Sequence, residues 1–164
     1  MTATATPAPT DATDTLETLG RRMQDFVRLI ANGRMVETIL KQSRLDLTRA
    51  DMQVLHSLRE TNGGIRLGEL ADRLLVDAPT VTRRVQQLET RQLVRRQNDP
   101  LDKRAQLVQL TPAGVRLLER AIAAYHRWLE GVVAGWSEDE RTQLAQLLER
   151  FTTDADAGIG SNGH

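Results

Sequence analysis

Apolar residues recur at steps of three and four along most of this chain, the spacing that gives an α-helix one apolar face. The first such segment runs from Leu16 to Ile30, and its pattern extends the predicted helix as far as Leu40. A second helix is predicted to begin at an N-cap, Thr48, and to stop at the glycine pair 63–64. The N-terminal part of the chain is therefore predicted to be helical.

Two shorter helices follow, separated only by Val76 and its neighbours. The first of them is predicted to carry an apolar face made of Leu67, Leu70, Ala71 and Leu74. The next begins near Asp77 and runs to about Thr90. Two helices joined so closely are typical of a helix-turn-helix.

The periodicity then changes. Residues 93–98 and 105–110 are short and partly apolar, and the Pro100 link between them favours a turn, so a β-hairpin is predicted. Two further helices follow, one starting at Thr111-Pro112 and running to about Trp136, the other at the capping box Ser137–Glu140. The predicted fold is mainly α with a small β-hairpin wing: a winged helix-turn-helix with a helical dimerisation region.

The fourth predicted helix separates its residues into two faces. Val81, Val85 and Leu88 form a narrow apolar stripe, which indicates the face turned to the core. The opposite face carries Arg and Gln, which can make paired hydrogen bonds to base edges in the DNA major groove. Together with the hairpin, this face gives the predicted DNA-binding residues: Pro79, Thr80, Thr82, Arg83, Arg84, Gln87, Arg96, Lys103 and Arg104. The simpler alternative is that any surface helix exposes Arg and Gln.

The charge distribution favours the DNA-binding interpretation. The chain has 22 basic and 22 acidic residues, a net charge of zero that argues against a non-specific nucleic-acid coat. Residues 82–104 nevertheless hold seven basic and three acidic residues. A local excess of this kind supplies phosphate contacts where the predicted helix and hairpin meet.

Composition excludes several other classes. There is no cysteine, so disulfides, thiolate metal sites and cysteine nucleophiles are excluded. No apolar run approaches the ~20 residues of a membrane helix, and the first residues lack the pattern of a signal peptide, so a cytoplasmic location is expected. The three histidines form no ligand-spaced pair, and neither a phosphate-binding glycine loop nor a nucleophile–base set is evident. We therefore expect no enzyme activity, no cofactor and no metal.

One stretch carries a specific resemblance. Residues 99–114, DPLDKRAQLVQLTPAG, resemble the wing signature of the MarR family of bacterial transcriptional regulators. The signature positions are occupied by Asp102, Arg104, Leu110, Thr111 and Gly114. Residues 81–96 are similar to that family's recognition helix and first wing strand. Two departures stand out: Arg66 lies where a Ser or Thr cap is common, and Gln92 lies where many relatives have Gly.

The resemblance implies roles for individual residues. Arg104 would contact the minor groove or its phosphates, and Asp102 would structure the wing, although a simple turn-forming role is open for Asp102. It also implies a homodimer on a palindromic operator, usually as a repressor, released by a small ligand that is often aromatic. His56 and Trp128 are the candidate pocket residues, although packing or surface positions are open for both.

The sequence itself offers a reason for dimerisation. The first and the last two predicted helices expose more apolar surface than one small winged helix can cover. The predicted organisation is a disordered tail at 1–13, a MarR-type domain at 14–155 and a flexible tail at 156–164. Within that domain, the DNA-binding lobe is predicted at 48–110 and the dimerisation helices at 14–41 and 111–155. Two alternatives stay open: a winged-helix protein-interaction module, and a DNA-binding regulator without a ligand.

Overall fold

The structure is a computed structural model that describes residues 12–61, 63–100, 102 and 105–161. These residues form seven helices and three strands, in agreement with the predicted mainly helical, winged helix-turn-helix fold. In chain order the elements are α1 (Ala12–Ala31), α2 (Arg34–Gln42), α3 (Arg49–Glu60), β1 (Ile65–Arg66), α4 (Leu67–Leu74), α5 (Ala78–Thr90), β2 (Val94–Asn98), β3 (Gln106–Leu110), α6 (Pro112–Val132) and α7 (Glu138–Ser161).

The chain divides into two compact units, one up to Ala124 and one from Tyr125 onward. The core of the first unit is built where α3, α4 and α5 meet the small sheet. Its large, fully buried side chains include Leu55, Leu70, Leu88 and Val108. Because these come from both helices of the helix-turn-helix and from the sheet, one apolar core fixes the helices against the wing.

The prediction that the first helix continues to Leu40 is wrong, because the helix is interrupted after Ala31. Gly33 adopts a left-handed φ of 71°, a conformation that favours glycine. The Arg49 side chain closes the break by donating to the Ala31 carbonyl at 2.8 Å. The predicted order of four helices, a hairpin and two helices therefore becomes five helices before the hairpin.

The β-hairpin is confirmed to within one residue at each end of its strands, and it belongs to a three-stranded antiparallel sheet of order β1-β3-β2. The additional strand, β1, pairs Ile65 with Val108 and Arg66 with Leu107. Two residues are too short to show the alternation by which a strand is recognised, so the sequence analysis missed β1. It lies directly before α4 and so joins the helix-turn-helix to the wing.

The Thr and Gly of the wing signature hold α6 against the turn that follows α5. The Thr111 hydroxyl donates to the Gln92 carbonyl at 2.7 Å and accepts from the Gly114 N–H at 3.0 Å. The Thr111 N–H donates to the Leu93 carbonyl at 3.0 Å. A Cβ atom on Gly114 would lie 2.0 Å from that same carbonyl oxygen. Glycine is therefore required at this position for close approach.

The second unit holds the end of α6 and all of α7. The predicted capping box is present: the Ser137 N–H donates to Glu140 at 2.8 Å, and the Glu140 N–H donates to the Ser137 hydroxyl at 3.2 Å. Helix α7 reaches Ser161, so it overlaps the range 156–164 that was predicted as a tail. Within the part of the chain that the structure describes, no helix is both long and apolar enough to cross a membrane.

Candidate nucleic-acid interface

Helix α5 turns the predicted stripe inward. Val81, Val85 and Leu88 are at most 1% exposed, which confirms the two-faced pattern of this helix. Six residues of its other face lie in solvent: Pro79, Thr80, Arg83, Gln86, Gln87 and Thr90. Thr82 and Arg84 are half-buried on the flanks. The outward face thus presents one arginine together with amide and hydroxyl groups, the donors and acceptors that suit base edges.

The N-terminus of α5 is held by its cap, Asp77. The Asp77 carboxylate accepts from the Thr80 hydroxyl at 2.7 Å and from the Thr80 N–H at 2.8 Å. These two hydrogen bonds lower the pKa of Asp77 from its usual range, the hydroxyl contributing most. Thr80, one of the predicted DNA contacts, therefore also stabilises the first turn of the helix.

Two neighbouring arginines, both among the predicted DNA-binding residues, have different surroundings. Arg83 lies on the exposed face. Arg84 donates to Asp51 at 3.3 Å and to Gln87 at 3.4 Å. Arg91, which follows α5, also reaches Asp51, at 3.5 Å. The structure thus leaves Arg83 open to solvent and engages Arg84 with a carboxylate of α3.

The two arginines of β2 also differ. Arg96, a predicted DNA contact, lies 3.5 Å from Glu89 of α5, and its side chain is 23% exposed. Its Nε and Nη2 atoms are buried and have no hydrogen-bond acceptor among the described residues. Arg95, which the site prediction omitted, is exposed and donates to Gln109 at 3.3 Å. Of this pair, Arg95 is therefore more accessible to a phosphate.

The base of the wing is tied to the helix-turn-helix through Arg66. The Arg66 guanidinium donates to Asp99 at 2.6 and 3.0 Å and lies 3.7 Å from Asp102. The hydrogen bond and charge of Asp99, helped by Asp102, raise the pKa of Arg66 further. Asp99 is 6% exposed, and neither it nor Arg66 was a predicted site residue. Lys103 and Arg104 lie outside the described residues, so their predicted contacts stay predictions.

Comparisons with known proteins agree with this architecture. The MarR family model matches residues 47–105. An uncharacterized HTH-type transcriptional regulator, YxaD of Bacillus subtilis, is 31% identical over 106 residues, which are 65% of this chain and 73% of YxaD. The crystal structure of wild-type apo MarR from E. coli is 30% identical with a TM-score of 0.66, covering 79% of this chain and 94% of MarR. The chain belongs to the MarR family.

The chain spans a smaller share of another curated relative. YdgJ, another uncharacterized HTH-type regulator of Bacillus subtilis, is 32% identical over 114 residues, 70% of this chain but only 65% of YdgJ. At 22% identity, a MepR mutant from S. aureus shares the fold with a TM-score of 0.57, covering 85% of this chain and 97% of MepR; its structure is bound to an oligodeoxyribonucleotide. The MarR family is one of transcriptional regulators, which agrees with the expectation that this chain is not an enzyme.

The two candidate pocket residues of this MarR-family chain lie in different units. His56 is exposed on α3, 3.4 Å from Glu60 one helical turn later. Trp128 is half-buried in the second unit and stacks on Tyr125 with ring centroids 5.8 Å apart. The described residues contain no group of three side chains suited to hold a metal ion. The ligand-pocket assignment of His56 and Trp128 stays a prediction.

Proposed function

We propose that this MarR-family chain is a sequence-specific, double-stranded-DNA-binding transcriptional regulator that reads the major groove with α5. The observation that carries the proposal is the outward face of α5, where Arg83, Gln86 and Gln87 are exposed above a fully buried apolar stripe. Arg can pair with guanine and Gln with adenine at base edges. The DNA-bound MepR mutant, which shares the fold, supports the same partner.

Phosphate contacts would come from residues beside this face. Arg95 is exposed on β2, and Thr80 and Pro79 are exposed at the start of α5. Lys103 and Arg104 at the wing tip are proposed to extend these contacts to the backbone or the minor groove. Such contacts set the position of the protein on the duplex, whereas Arg83 and its neighbours select the sequence.

The regulator is proposed to act as a homodimer on a palindromic operator. Helix α1 exposes large apolar side chains, among them Leu16, which is 70% exposed, and Leu19, which is 51% exposed. Helix α7 does the same, with Leu147 at 56% and Phe151 at 47%. Apolar surface on whole helix faces is typical of interfaces between subunits. A two-fold dimer would place two copies of α5 about one DNA turn, ~34 Å, apart.

Repression released by a small, aromatic ligand completes the proposal, because this is the regulation that the family resemblance implies. A ligand releases DNA only if it binds the DNA-free arrangement of the dimer more tightly than the DNA-bound one. His56 and Trp128 are the proposed contacts. A regulator without a ligand is the alternative, and it would bind its operator equally well in the presence of any small aromatic acid.

The decisive experiment is selection of bound fragments from random double-stranded DNA, followed by affinity measurements on the selected site. We expect a palindromic site, and we expect Arg83→Ala to weaken binding by about 1–3 kcal/mol and to relax the base preference. Arg116→Ala, at an exposed arginine of α6, is the matched control and should change neither quantity. Equal affinity of wild type and Arg83→Ala for the best site would contradict base reading by Arg83.

Dimerisation is tested separately by sedimentation. Leu147→Glu places a charge on the proposed α7 interface and should shift the protein towards a monomer, because a buried, unpaired carboxylate destabilises the interface. Leu75→Glu is the control, because Leu75 is 92% exposed in the turn before α5, outside α1 and α7. A monomeric wild type would contradict the proposed dimer. A wild type that does not bind double-stranded DNA even at low salt would favour the protein-interaction alternative.

A further inference from the structure

Asp51 is a buried carboxylate at the point where α3 meets α5. It is 3% exposed, although it lies in the first turn of α3. One of its oxygens accepts from the Thr48 N–H at 2.9 Å and completes the capping box that begins this helix. A Gln or Glu at this position of a capping box would cap equally well. Capping alone therefore does not account for a short, buried carboxylate that also faces another helix.

The same carboxylate holds two arginines. Arg84 Nη1 lies 3.3 Å from Oδ1 of Asp51, and Arg91 Nη1 lies 3.5 Å from Oδ2. The two arginines are seven residues apart, which is two helical turns, so Arg91, the C-cap of α5, lies on the same flank as Arg84. Arg91 reaches further, to the backbone carbonyl and the carboxylate of Asp46. A groove of about 400 Å³ runs along this flank, lined by Asp46, Thr48, Asp51, Arg84, Gln87, Thr90 and Arg91.

These contacts resist rotation of α5 about its own axis. A buried carboxylate strongly destabilises a protein when it loses its cationic partners, so turning α5 away from Asp51 is unfavourable. On the other flank, Glu89 of α5 lies 3.5 Å from Arg96 of β2. The outward face that carries Arg83 lies between the two flanks. Its direction is therefore set by an ionic contact on each side, of which the Asp51 contact is the more buried.

We propose that Asp51 is a positioning residue for base recognition: by holding Arg84 and Arg91, it fixes the rotation of α5 and so directs Arg83 at the base edges. In this arrangement Arg84, one of the residues that the sequence predicted to bind DNA, connects α3 to α5 and does not read a base. The inference rests on the proposed function. It adds a residue that would not touch DNA and yet determines which sequence is bound.

Asp51→Asn tests the proposal with little change in shape. The asparagine keeps a side-chain oxygen that accepts from the Thr48 N–H, and it removes the charge that holds Arg84 and Arg91. Thr48→Ala is the matched control, because it removes the hydroxyl that accepts from the Asp51 N–H at 3.1 Å and leaves the carboxylate in place. Thr48→Ala therefore weakens the start of α3 and leaves the arginines held, whereas Asp51→Asn keeps an acceptor for the Thr48 N–H and releases the arginines.

The measurement is the specificity ratio, which is the dissociation constant for sites changed at the bases that Arg83→Ala identifies divided by the dissociation constant for the selected site. We expect Asp51→Asn to reduce this ratio by about tenfold, the lower part of the range for one bidentate base contact. Thr48→Ala should lower the melting temperature without changing the ratio. An unchanged ratio in Asp51→Asn would overturn the inference, and so would an equal fall in Thr48→Ala.

Arg84→Gln removes the charge of the more exposed partner in the Asp51–Arg84 contact, so the proposal can be tested even if Asp51→Asn folds poorly. We expect Arg84→Gln to reduce the ratio, and the double variant to show no fall beyond that of Asp51→Asn, because Arg84→Gln removes a contact that Asp51→Asn already breaks. Additive losses would overturn the inference and indicate that Arg84 reads a base. A wild type without sequence preference would instead refute the proposed function itself, which separates the two failures.

Discussion

Gly114 offers the sharpest test of the packing that supports the candidate interface. It lies in the first turn of α6, where the helix approaches the turn between α5 and β2. An alanine Cβ at this position would lie 2.0 Å from the Leu93 carbonyl oxygen and 3.0 Å from the Leu93 carbonyl carbon. Real Cβ atoms do not approach a backbone oxygen so closely, so Gly114→Ala forces α6 and this turn apart.

The expected loss follows from two opposing contributions. Alanine is favoured over glycine within a helix by about 1 kcal/mol. Overpacking typically costs about 1–3 kcal/mol, and displacement of the Leu93 carbonyl weakens the hydrogen bond from the Thr111 N–H at 3.0 Å. It also weakens the longer branch, at 3.2 Å, of the hydrogen bond that the Thr111 hydroxyl shares between the Leu93 and Gln92 carbonyls. At about 1 kcal/mol for each hydrogen bond, the steric contribution dominates. We expect Gly114→Ala to lower the free energy of unfolding by about 2–3 kcal/mol.

Urea unfolding followed by far-ultraviolet circular dichroism measures this loss, at one fixed protein concentration because dimer formation would add to stability. Gly131→Ala is the matched control, because Gly131 lies on the same helix and nothing lies within 4 Å of an added Cβ. The control should be neutral or slightly more stable. Equal stability of Gly114→Ala and Gly131→Ala would refute the close approach of α6 to the α5–β2 turn.

Three further predictions concern the ends of the helices. Gln92 has a left-handed φ of 57°, so Gln92→Gly should raise the free energy of unfolding by about 0.5–1 kcal/mol in urea unfolding; a decrease would contradict strain there. Because the Thr80 hydrogen bonds lower the pKa of Asp77, the stability that they add is complete above the ordinary carboxyl pKa and is lost as the pH falls through the lowered pKa. Thr80→Val should therefore raise the pKa of Asp77, measured by NMR of the carboxyl carbon. An unchanged pKa would contradict the role of the Thr80 hydroxyl in lowering it. Arg66→Ser gives α4 a side-chain N-cap but removes the arginine that pairs with the buried Asp99. We expect the melting temperature to fall, because loss of the ion pair costs more than the cap adds. A higher melting temperature would show that capping outweighs the ion pair.

Local sequence was enough to predict the parts of the fold that depend on neighbouring residues. The buried stripe of Val81, Val85 and Leu88 follows from helical spacing alone. The N-cap at Thr48 follows from a residue type that precedes the apolar pattern, and the capping box at Ser137 follows from residue types three positions apart. In each case the partners lie within about one or two turns, so the pattern is visible without knowledge of the tertiary structure.

The parts that sequence analysis missed depend on distant contacts. Strand β1 exists because Ile65 pairs with Val108, and two residues carry no periodic pattern of their own. The break at Gly33 is closed by Arg49, whose target carbonyl lies 18 residues earlier. Arg66 could have been noticed, because it occupies a position where a capping Ser or Thr was expected, but its partner Asp99 lies 33 positions further along the chain.

The same limit explains why counting charges overestimates the positive surface of the candidate interface. From sequence, the seven basic residues between positions 82 and 104 were interpreted as one patch that supplies phosphate contacts. Among the described residues, Arg84, Arg91 and Arg96 each lie within 3.5 Å of a carboxylate.

Arg83 and Arg95 keep their side chains exposed in solvent. A cation that is already paired releases fewer counterions when a phosphate approaches, so it adds less to salt-dependent affinity. The fold therefore divides the described arginines of this stretch into those paired with a carboxylate and those exposed to solvent. On the proposed function, this division predicts that sequence preference depends also on arginines that do not contact the duplex.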